Sequence, residues 1–420
     1  MPFKSLEEWL NFIDSDRPKK EDFGLDRIKG LFNEIVKSKV ADTTFVIGGT
    51  NGKGSAAEFL TNLFINSNKT VGTYTSPHIL KYNERIRINS LSVSDKAISA
   101  AFEKIYKLKG DIKLTYFDYS TLAAMLIFLE NGVEVGIFEV GLGGRLDPVN
   151  LLDADFSLIT NVELDHQKWL GNSKEEIGKE KAAIIRSDNT TILGQKDIPE
   201  SVVSHANLLG TKLIKVEKDY SFQKLNENLW NYCLEMPGKK VEINKISQNN
   251  LSIESASIAL TAYFLSSGVN SVNIKEVVER TNLLGRCFYV GNVILDVAHN
   301  PSSVEKLKAF LFKTKKQYSK TIAYAGFMRD KDVVSMIKAL SDQVDDWHVF
   351  DLPLDRAMKA KEVAEIIINV TGKKPFVHES ILEAFHLNYK IDNDNLNVVF
   401  GSFHTVCEAC YELESFGLKI

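Results

Sequence analysis

The chain has 420 residues, 44% apolar and 25% charged, with a formal net charge of −4. Such a length exceeds one ordinary core and makes two domains the expectation, while mild acidity argues against a nucleic-acid-binding surface, whose first requirement is a basic face. Four scattered cysteines (Cys233, Cys287, Cys407, Cys410) form no disulfide framework and fit a reducing, cytoplasmic setting, and no apolar run approaches the roughly 18 residues of a membrane span.

The first ten residues read as an amphipathic helix bearing acids, unlike a secretory leader. Residues 43–55, Thr-Thr-Phe-Val-Ile-Gly-Gly-Thr-Asn-Gly-Lys-Gly-Ser, read as a buried strand entering a glycine-rich loop with one lysine at the mouth of a helix. Gly49, Gly52 and Gly54 let backbone N–H groups turn inward where a side chain would meet a phosphate, and Lys53 supplies a point charge. Ser55 opens an apolar-periodic segment (Ala56, Phe59, Leu60, Leu63, Phe64). The positive end of that helix would face the same anion, and the Ser55 hydroxyl suits Mg²⁺. Walker loops carry the hydroxyl directly after the lysine; here Gly54 intervenes.

Beyond the loop, strands are expected at 70–75, 133–140, 156–161 and 190–193, and helices at 94–108, 119–130, 174–185 and 199–208. That alternation predicts a mostly parallel sheet covered by helices. Residues 221–247 suggest strands or hairpins at a domain edge. A second series follows Leu284-Gly285-Arg286, with strands at 293–296, 321–325, 347–351, 375–377 and 397–400 alternating with helices near 304–314, 333–340, 360–370, 381–389 and 405–415. Cys407 and Cys410 fall in the last helical pattern and read as core packing, since no second cysteine pair completes a zinc site. The expected fold class is α/β: a P-loop NTPase-like, mostly parallel sheet domain over residues 1–284 and a smaller Rossmann-like domain over residues 285–420. Ligands of such sheets bind at strand carboxyl ends, so the active site is expected in a cleft between the two.

Polar residues stand where those strands and helices end. Ser76, Glu139 and His166 offer a hydroxyl, a carboxylate and an imidazole for Mg²⁺ beside a nucleotide, although Glu139 and His166 taken singly read as well as caps or satisfied buried groups. Glu139 is followed by Val-Gly-Leu-Gly-Gly-Arg-Leu-Asp147, a loop that lets backbone approach a ligand and whose Asp147 suits the N–H groups of a heterocycle. Leu114-Thr115-Tyr116-Phe117-Asp118 reads equally as a platform for a flat nitrogen heterocycle such as a pterin and as a hydrophobic staple with an N-cap. Asp296 and His299 end a strand, where an acid suits a ribose hydroxyl. Arg286 reads either as a phosphate contact in the hinge or as a solvated linker charge. Ser402 reads as a helix cap, and the lysine-rich residues 313–320 as solvated surface.

Taken in order, Gly49-Thr-Asn-Gly-Lys-Gly-Ser55, Thr75-Ser-Pro-His78, Tyr82-Asn-Glu-Arg-Ile-Arg87, Glu139 to Asp147, Leu164-Asp-His166, Glu180-Lys-Ala182, Asp296-Val-Ala-His-Asn-Pro301 and Gly401-Ser-Phe-His-Thr405 closely resemble the folylpolyglutamate synthases. The likeness is greatest to the bifunctional bacterial branch that is also a dihydrofolate synthase, relatives of the Mur ligases. The resemblance implies that Gly49, Thr50, Asn51, Gly52, Lys53, Gly54 and Ser55 hold the ATP phosphates. It also implies that Ser76, Glu139 and His166 bind two Mg²⁺ ions, with Lys181 as a carbamylated lysine that adds an anionic ligand. Lys53, Lys181, His166 and Glu139 would then form the catalytic set. Ser255, Arg286, Asp296 and His299 would contact ATP. Dihydropteroate would be bound by Asp22, Phe23, Thr115, Tyr116, Phe117, Asp118, Leu146, Asp147 and Pro148.

The implied activity is ATP-dependent addition of L-glutamate to dihydropteroate and to reduced folates through an acyl phosphate, by a cytoplasmic monomer with no nucleic-acid or membrane partner. Alternatives are a monofunctional folylpolyglutamate synthase and, less favoured, a P-loop switch that hydrolyses nucleotide without an acceptor. Departures from the family pattern are Pro148-Val149 for the usual Ala-Thr, Asp118 for Glu, Ser255 for an adenine-contacting Asn, and Leu284 for the Pro before Gly-Arg.

Overall fold

Residues 3–16, 18, 24–267, 272–388 and 394–420 are described by the computed structural model. Contacts divide the chain into two units, Met1–Thr281 and Asn282–Ile420.

In chain order the first unit runs α1 (Leu6–Ser15), α2 (Asp26–Ile35), β1 (Thr43–Gly48), α3 (Lys53–Ile65), β2 (Val71–Tyr74), β3 (Ile86–Ile88), β4 (Leu91–Ser92), α4 (Asp95–Leu108), α5 (Tyr116–Glu130), β5 (Val135–Glu139), β6 (Phe156–Ile159), α6 (Gln167–Leu170), α7 (Lys174–Ala182), β7 (Thr190–Leu193), α8 (Glu200–Leu209), β8 (Lys212–Lys215), β9 (Tyr220–Lys224), β10 (Leu229–Met236), β11 (Lys239–Ser247), α9 (Ile253–Ser267) and α10 (Ile274–Arg280). Its main sheet has the order β4-β3-β2-β5-β1-β6-β7-β8, parallel from β2 to β8 and closed at one edge by antiparallel β3 and β4. Residues 220–247 form a separate antiparallel sheet, β11-β10-β9.

The apolar run of β1 fits its place at the middle: Phe45, Val46 and Ile47 are buried, as expected of a strand covered on both faces. Helix α3 packs between sheet and α9, which explains why Ala56, Ala57, Phe59, Leu60, Leu63 and Phe64 are all buried around its circumference. Helix α1 begins at an N-cap Ser5, whose hydroxyl accepts the Glu8 N–H, and buries Leu6, Trp9 and Ile13.

The second unit contains β12 (Phe288–Val290), β13 (Val293–Leu295), α11 (Pro301–Thr314), β14 (Lys320–Ala325), α12 (Val333–Leu340), β15 (Asp346–Phe350), α13 (Ala360–Thr371), β16 (Phe376–His378), α14 (Ile381–Asn388), β17 (Asn395–Phe400) and α15 (Phe403–Ser415). Its sheet, β12-β13-β17-β14-β15-β16, is parallel except for β12. Ser402 caps α15 by accepting the Thr405 N–H, and Cys410 is buried in that helix's apolar face. The α/β class and the mostly parallel large sheet are as the sequence predicts. Short edge strands β3, β4, β8 and β12 were not expected, and several helices begin earlier than their patterns suggest: α3 at Lys53, α5 at Tyr116, α11 at Pro301 and α15 at Phe403.

Candidate active site

Parallel neighbours end at the same side of a sheet, so β2, β5, β1 and β6 bring the segments after them together. These segments carry Ser76, Glu139, the glycine loop and residues 160–166.

The glycine loop is held by backbone geometry that only glycine supplies. Gly49 has φ 142°, and a Cβ there would stand 1.8 Å from Thr160 Oγ1; at Gly52, φ 85°, it would stand 2.7 Å from Ser255 Oγ. Asn161 Oδ1 accepts the Thr50 and Asn51 N–H groups at 3.2 and 2.8 Å, and Thr160 Oγ1 donates to the Asn51 carbonyl at 2.7 Å. Since α3 starts at Lys53, the amides of Lys53, Gly54 and Ser55 belong to a first helical turn, which lacks acceptors within the helix. Lys53 Nζ curls back to the Gly49 and Thr50 carbonyls at 3.1 and 3.3 Å. Ser55 is buried below it. Ser255, in the first turn of α9, donates its hydroxyl to the Gly52 carbonyl at 3.3 Å, so it braces the loop.

Beside this loop, the Ser76 backbone N–H donates to Glu139 Oε2 at 3.1 Å, which ties the end of the segment after β2 to this carboxylate; Glu139 is 5% exposed. His166 takes a left-handed conformation, φ 51°, at the start of α6, with its ring exposed. Such hard oxygens with one imidazole suit Mg²⁺. Lys181, on α7, is 3% exposed, and its amine is brought down to about 7, first by burial and then by the positive charge of Lys53, with Asp165 opposing. The two lysines are therefore near enough to repel.

Several expected substrate contacts have another occupation. Asp147 caps a short 3₁₀ turn: its carboxylate accepts the Gly141, Leu142 and Val149 N–H groups at 2.8, 3.2 and 3.0 Å and shapes the loop from within. Burial raises its acid to about 6 against those three bonds. Thr115 and Asp118 form a capping box on α5, and Asp118 Oδ2 also accepts Arg27 Nη2 at 2.6 Å, so the cap reading describes both. Tyr116 lies between these caps and Phe117, Pro148 is buried, and Phe117 and Leu146 remain outward, 37% and 46% exposed. Asp22 and Phe23 lie outside the described residues.

In the second unit, Asp296 is buried after β13. Its Oδ2 accepts the Cys287 N–H at 2.8 Å and its Oδ1 the Ala298 N–H at 2.7 Å, where a free acid for a ribose was expected. Burial raises its pKa, with Arg286 opposing. Arg286 stands 5.4 Å above the Phe403 ring, and His299, bonded through Nδ1 to the Val297 carbonyl at 2.8 Å, lies 6.0 Å from the same ring. Phe403, which joins these two, was not singled out in the sequence, although it sits in Gly401-Ser-Phe-His-Thr405. Asn161 was also passed over; an amide directly after a strand was its only signal.

Two family models match the chain, the Mur ligase middle domain over residues 47–298 and the Mur ligase glutamate ligase domain over residues 280–403. Dihydrofolate synthase/folylpolyglutamate synthases of Haemophilus influenzae and Escherichia coli are 32% and 33% identical, each aligned over 96% of this chain and over 96% and 94% of their own lengths. The chain belongs to this folate branch of the Mur ligase family. Among solved structures, E. coli FolC in complex with DHPP and ADP is similar at TM-score 0.89 and 30% identity, covering 99% of both chains. The Yersinia pestis bifunctional enzyme complexed with AMPPNP and Mn ion is similar at TM-score 0.88 and 31% identity, covering 98% of both. Among the described residues of the present chain, no helix is long and apolar enough to cross a membrane.

Proposed function

We propose that the chain is an ATP-dependent ligase that joins L-glutamate to dihydropteroate and extends reduced folates with further glutamates. One observation carries the reading: a lysine-bearing phosphate loop lies beside the Glu139 carboxylate, which accepts the Ser76 backbone N–H, in a chain aligned over 96% of its length with bifunctional relatives.

A carboxylate is a poor electrophile, so the acceptor carboxylate first attacks the γ-phosphorus of ATP; the bond to ADP breaks and an acyl phosphate forms. The glutamate amine then adds to the acyl carbon, loses a proton and expels inorganic phosphate. Lys53 and the first-turn amides of α3 bind the phosphoryl group and stabilise its charge as it transfers. Ser76, Glu139 and His166 would hold Mg²⁺, which supplies further charge neutralisation. An amine brought to about 7 is substantially neutral at physiological pH, so Lys181 is suited to add to CO₂, forming an N–C bond and releasing a proton. The resulting carbamate replaces a repelling cation with an anionic oxygen ligand. Asp147 and the Thr115–Asp118 cap fix the walls on which Phe117 and Leu146 meet the pterin ring, and Arg286, Asp296 and His299 are the proposed ATP contacts of the second unit. The enzyme acts as a monomer in a reducing cytoplasm, consistent with four free cysteines.

ADP release assayed with and without L-glutamate and dihydropteroate tests the reading. Release that requires both is expected, and Lys53→Ala should abolish it while leaving the fold intact; undiminished turnover in that variant refutes the assignment. Release with folates alone would make the enzyme monofunctional, and release without any acceptor would make it a switch.

A further inference from the structure

Arg85 enters β3 beside the candidate metal ligands and has no role in the chemistry above. It is 6% exposed, its Nε donates to His78 Nδ1 at 2.7 Å, and its Nη1 is sealed from solvent without an acceptor. Among the described residues no carboxylate pairs with it. The rings of Tyr82, Tyr116 and Phe117 lie 5.6, 5.2 and 5.8 Å from its Cζ, holding the guanidinium in place without neutralising it. A buried cation of this kind calls for an anion.

Its position says which anion. The Thr75 N–H donates to the Arg85 carbonyl at 3.0 Å, and the next residue, Ser76, donates its N–H to Glu139 at 3.1 Å, so Arg85 belongs to the same strand edge as the proposed phosphoryl site. Phe117 links it to the loop after β5, since a Cβ on Gly141 would stand 2.7 Å from that ring. Phosphate already has Lys53 and the helix amides. A carboxylate on an aromatic ring, as in a pteroate, is a flat anion that fits between ring faces and takes the guanidinium fork in bidentate fashion. We propose that Arg85 is a substrate-binding residue that grips the acceptor carboxylate, the group that receives the phosphoryl. This rests on the ligase reading above.

Titration calorimetry with pteroate and with its neutral carboxamide tests the assignment without requiring turnover. Wild-type protein is expected to bind pteroate at least about tenfold more tightly than the carboxamide. Arg85→Met should weaken pteroate about 10- to 100-fold, leave the carboxamide and AMPPNP affinity nearly unchanged, and not lower the melting temperature. Arg85→Lys keeps the cation, loses the fork, and should fall between; it also serves if the methionine variant does not fold. Pteroate affinity within about twofold of wild type in both variants, equal loss for pteroate and carboxamide, or equal wild-type affinity for the two overturns the assignment. A KM effect confined to folate acceptors and absent for dihydropteroate also overturns it, because the grip would then be on a spectator carboxylate. Failure of the ligase reading shows separately, as wild-type protein that binds pteroate but releases no ADP.

Discussion

Replacing Lys181 by methionine should stabilise the protein, and the gain should shrink as pH rises. The amine sits at about 7 in the folded chain against an ordinary 10.5. Between those values the unfolded chain binds the proton more readily, so stability falls as pH drops from 10.5 toward 7 and stays at its floor below 7. Integrating the two titrations gives a burial cost of about 5 kcal/mol at pH 6, about 4 at pH 7 and about 2 at pH 9. Methionine has similar length and no charge, so Lys181→Met removes that cost. Guanidinium unfolding in CO₂-free buffer checks it by tryptophan fluorescence, because Trp9, Trp169 and Trp230 lie in the unit that carries Lys181. The stability difference between variant and wild type should fall by about 3 kcal/mol from pH 6 to pH 9. Added bicarbonate at pH 8 should stabilise wild type and leave the variant unmoved. A difference that changes by less than about 1 kcal/mol between the two pH values would mean the buried amine stays charged in the folded state, refuting the electrostatic reasoning.

Gly49→Ala forces a Cβ to within 1.8 Å of Thr160 Oγ1 at φ 142°, and nucleotide titration should show ATP affinity lost by tenfold or more, on the order of the 1–3 kcal/mol stored in such backbone strain. Asp118→Ala removes the carboxylate that accepts Arg27 Nη2, while Arg27 keeps its bond to the Lys113 carbonyl, and opens the cap of α5; denaturation should register a loss of about 1–2 kcal/mol. Phe117→Ala, by contrast, should move stability by less than about 1 kcal/mol and raise the acceptor KM, because the ring is 37% exposed. Glu139→Ala should shift the Mg²⁺ titration of ADP release to higher concentration, and an unchanged titration would remove Glu139 from the metal site.

The buried inner strands were legible in the sequence, because β1, β5, β6 and β7 are rich in apolar and β-branched residues, the polar members of β6 and β7 being Ser157, Thr190 and Thr191. Edge strands were not: β3 and β4 have three and two residues, too short for any period to register. The start of α5 was expected at Tyr119, with Tyr116 and Phe117 just before the helix as either a platform or a staple; the Thr115–Asp118 capping box sets them in the first turn. The same limit applies to Asp118, Asp147 and Asp296. Sequence shows an acid before a helix or after a strand; whether its oxygens face a ligand or the chain's own N–H groups depends on tertiary partners such as Arg27, Gly141 and Cys287.

That distinction separates residues that shape the site from residues that await a guest. Each of the three acids has its charge met by backbone or guanidinium donors, so removing one would collapse a loop before it altered recognition. Lys181 and Arg85 stand in the opposite condition: both are basic groups more than nine-tenths buried, and neither forms an ion pair among the described residues. Carrying two such groups at the carboxyl end of one sheet disfavours the empty protein, so their retention makes physical sense only if an anion arrives. The two differ in how the charge can be resolved. An amine whose pKa is near neutrality can lose its proton and take up CO₂, becoming the anion itself. A guanidinium keeps its charge at any physiological pH and has to be met from outside. A ligase that activates a carboxylate brings that anion with its acceptor, so substrate binding would stabilise the first unit most strongly around Arg85, where the empty protein leaves Nη1 without an acceptor.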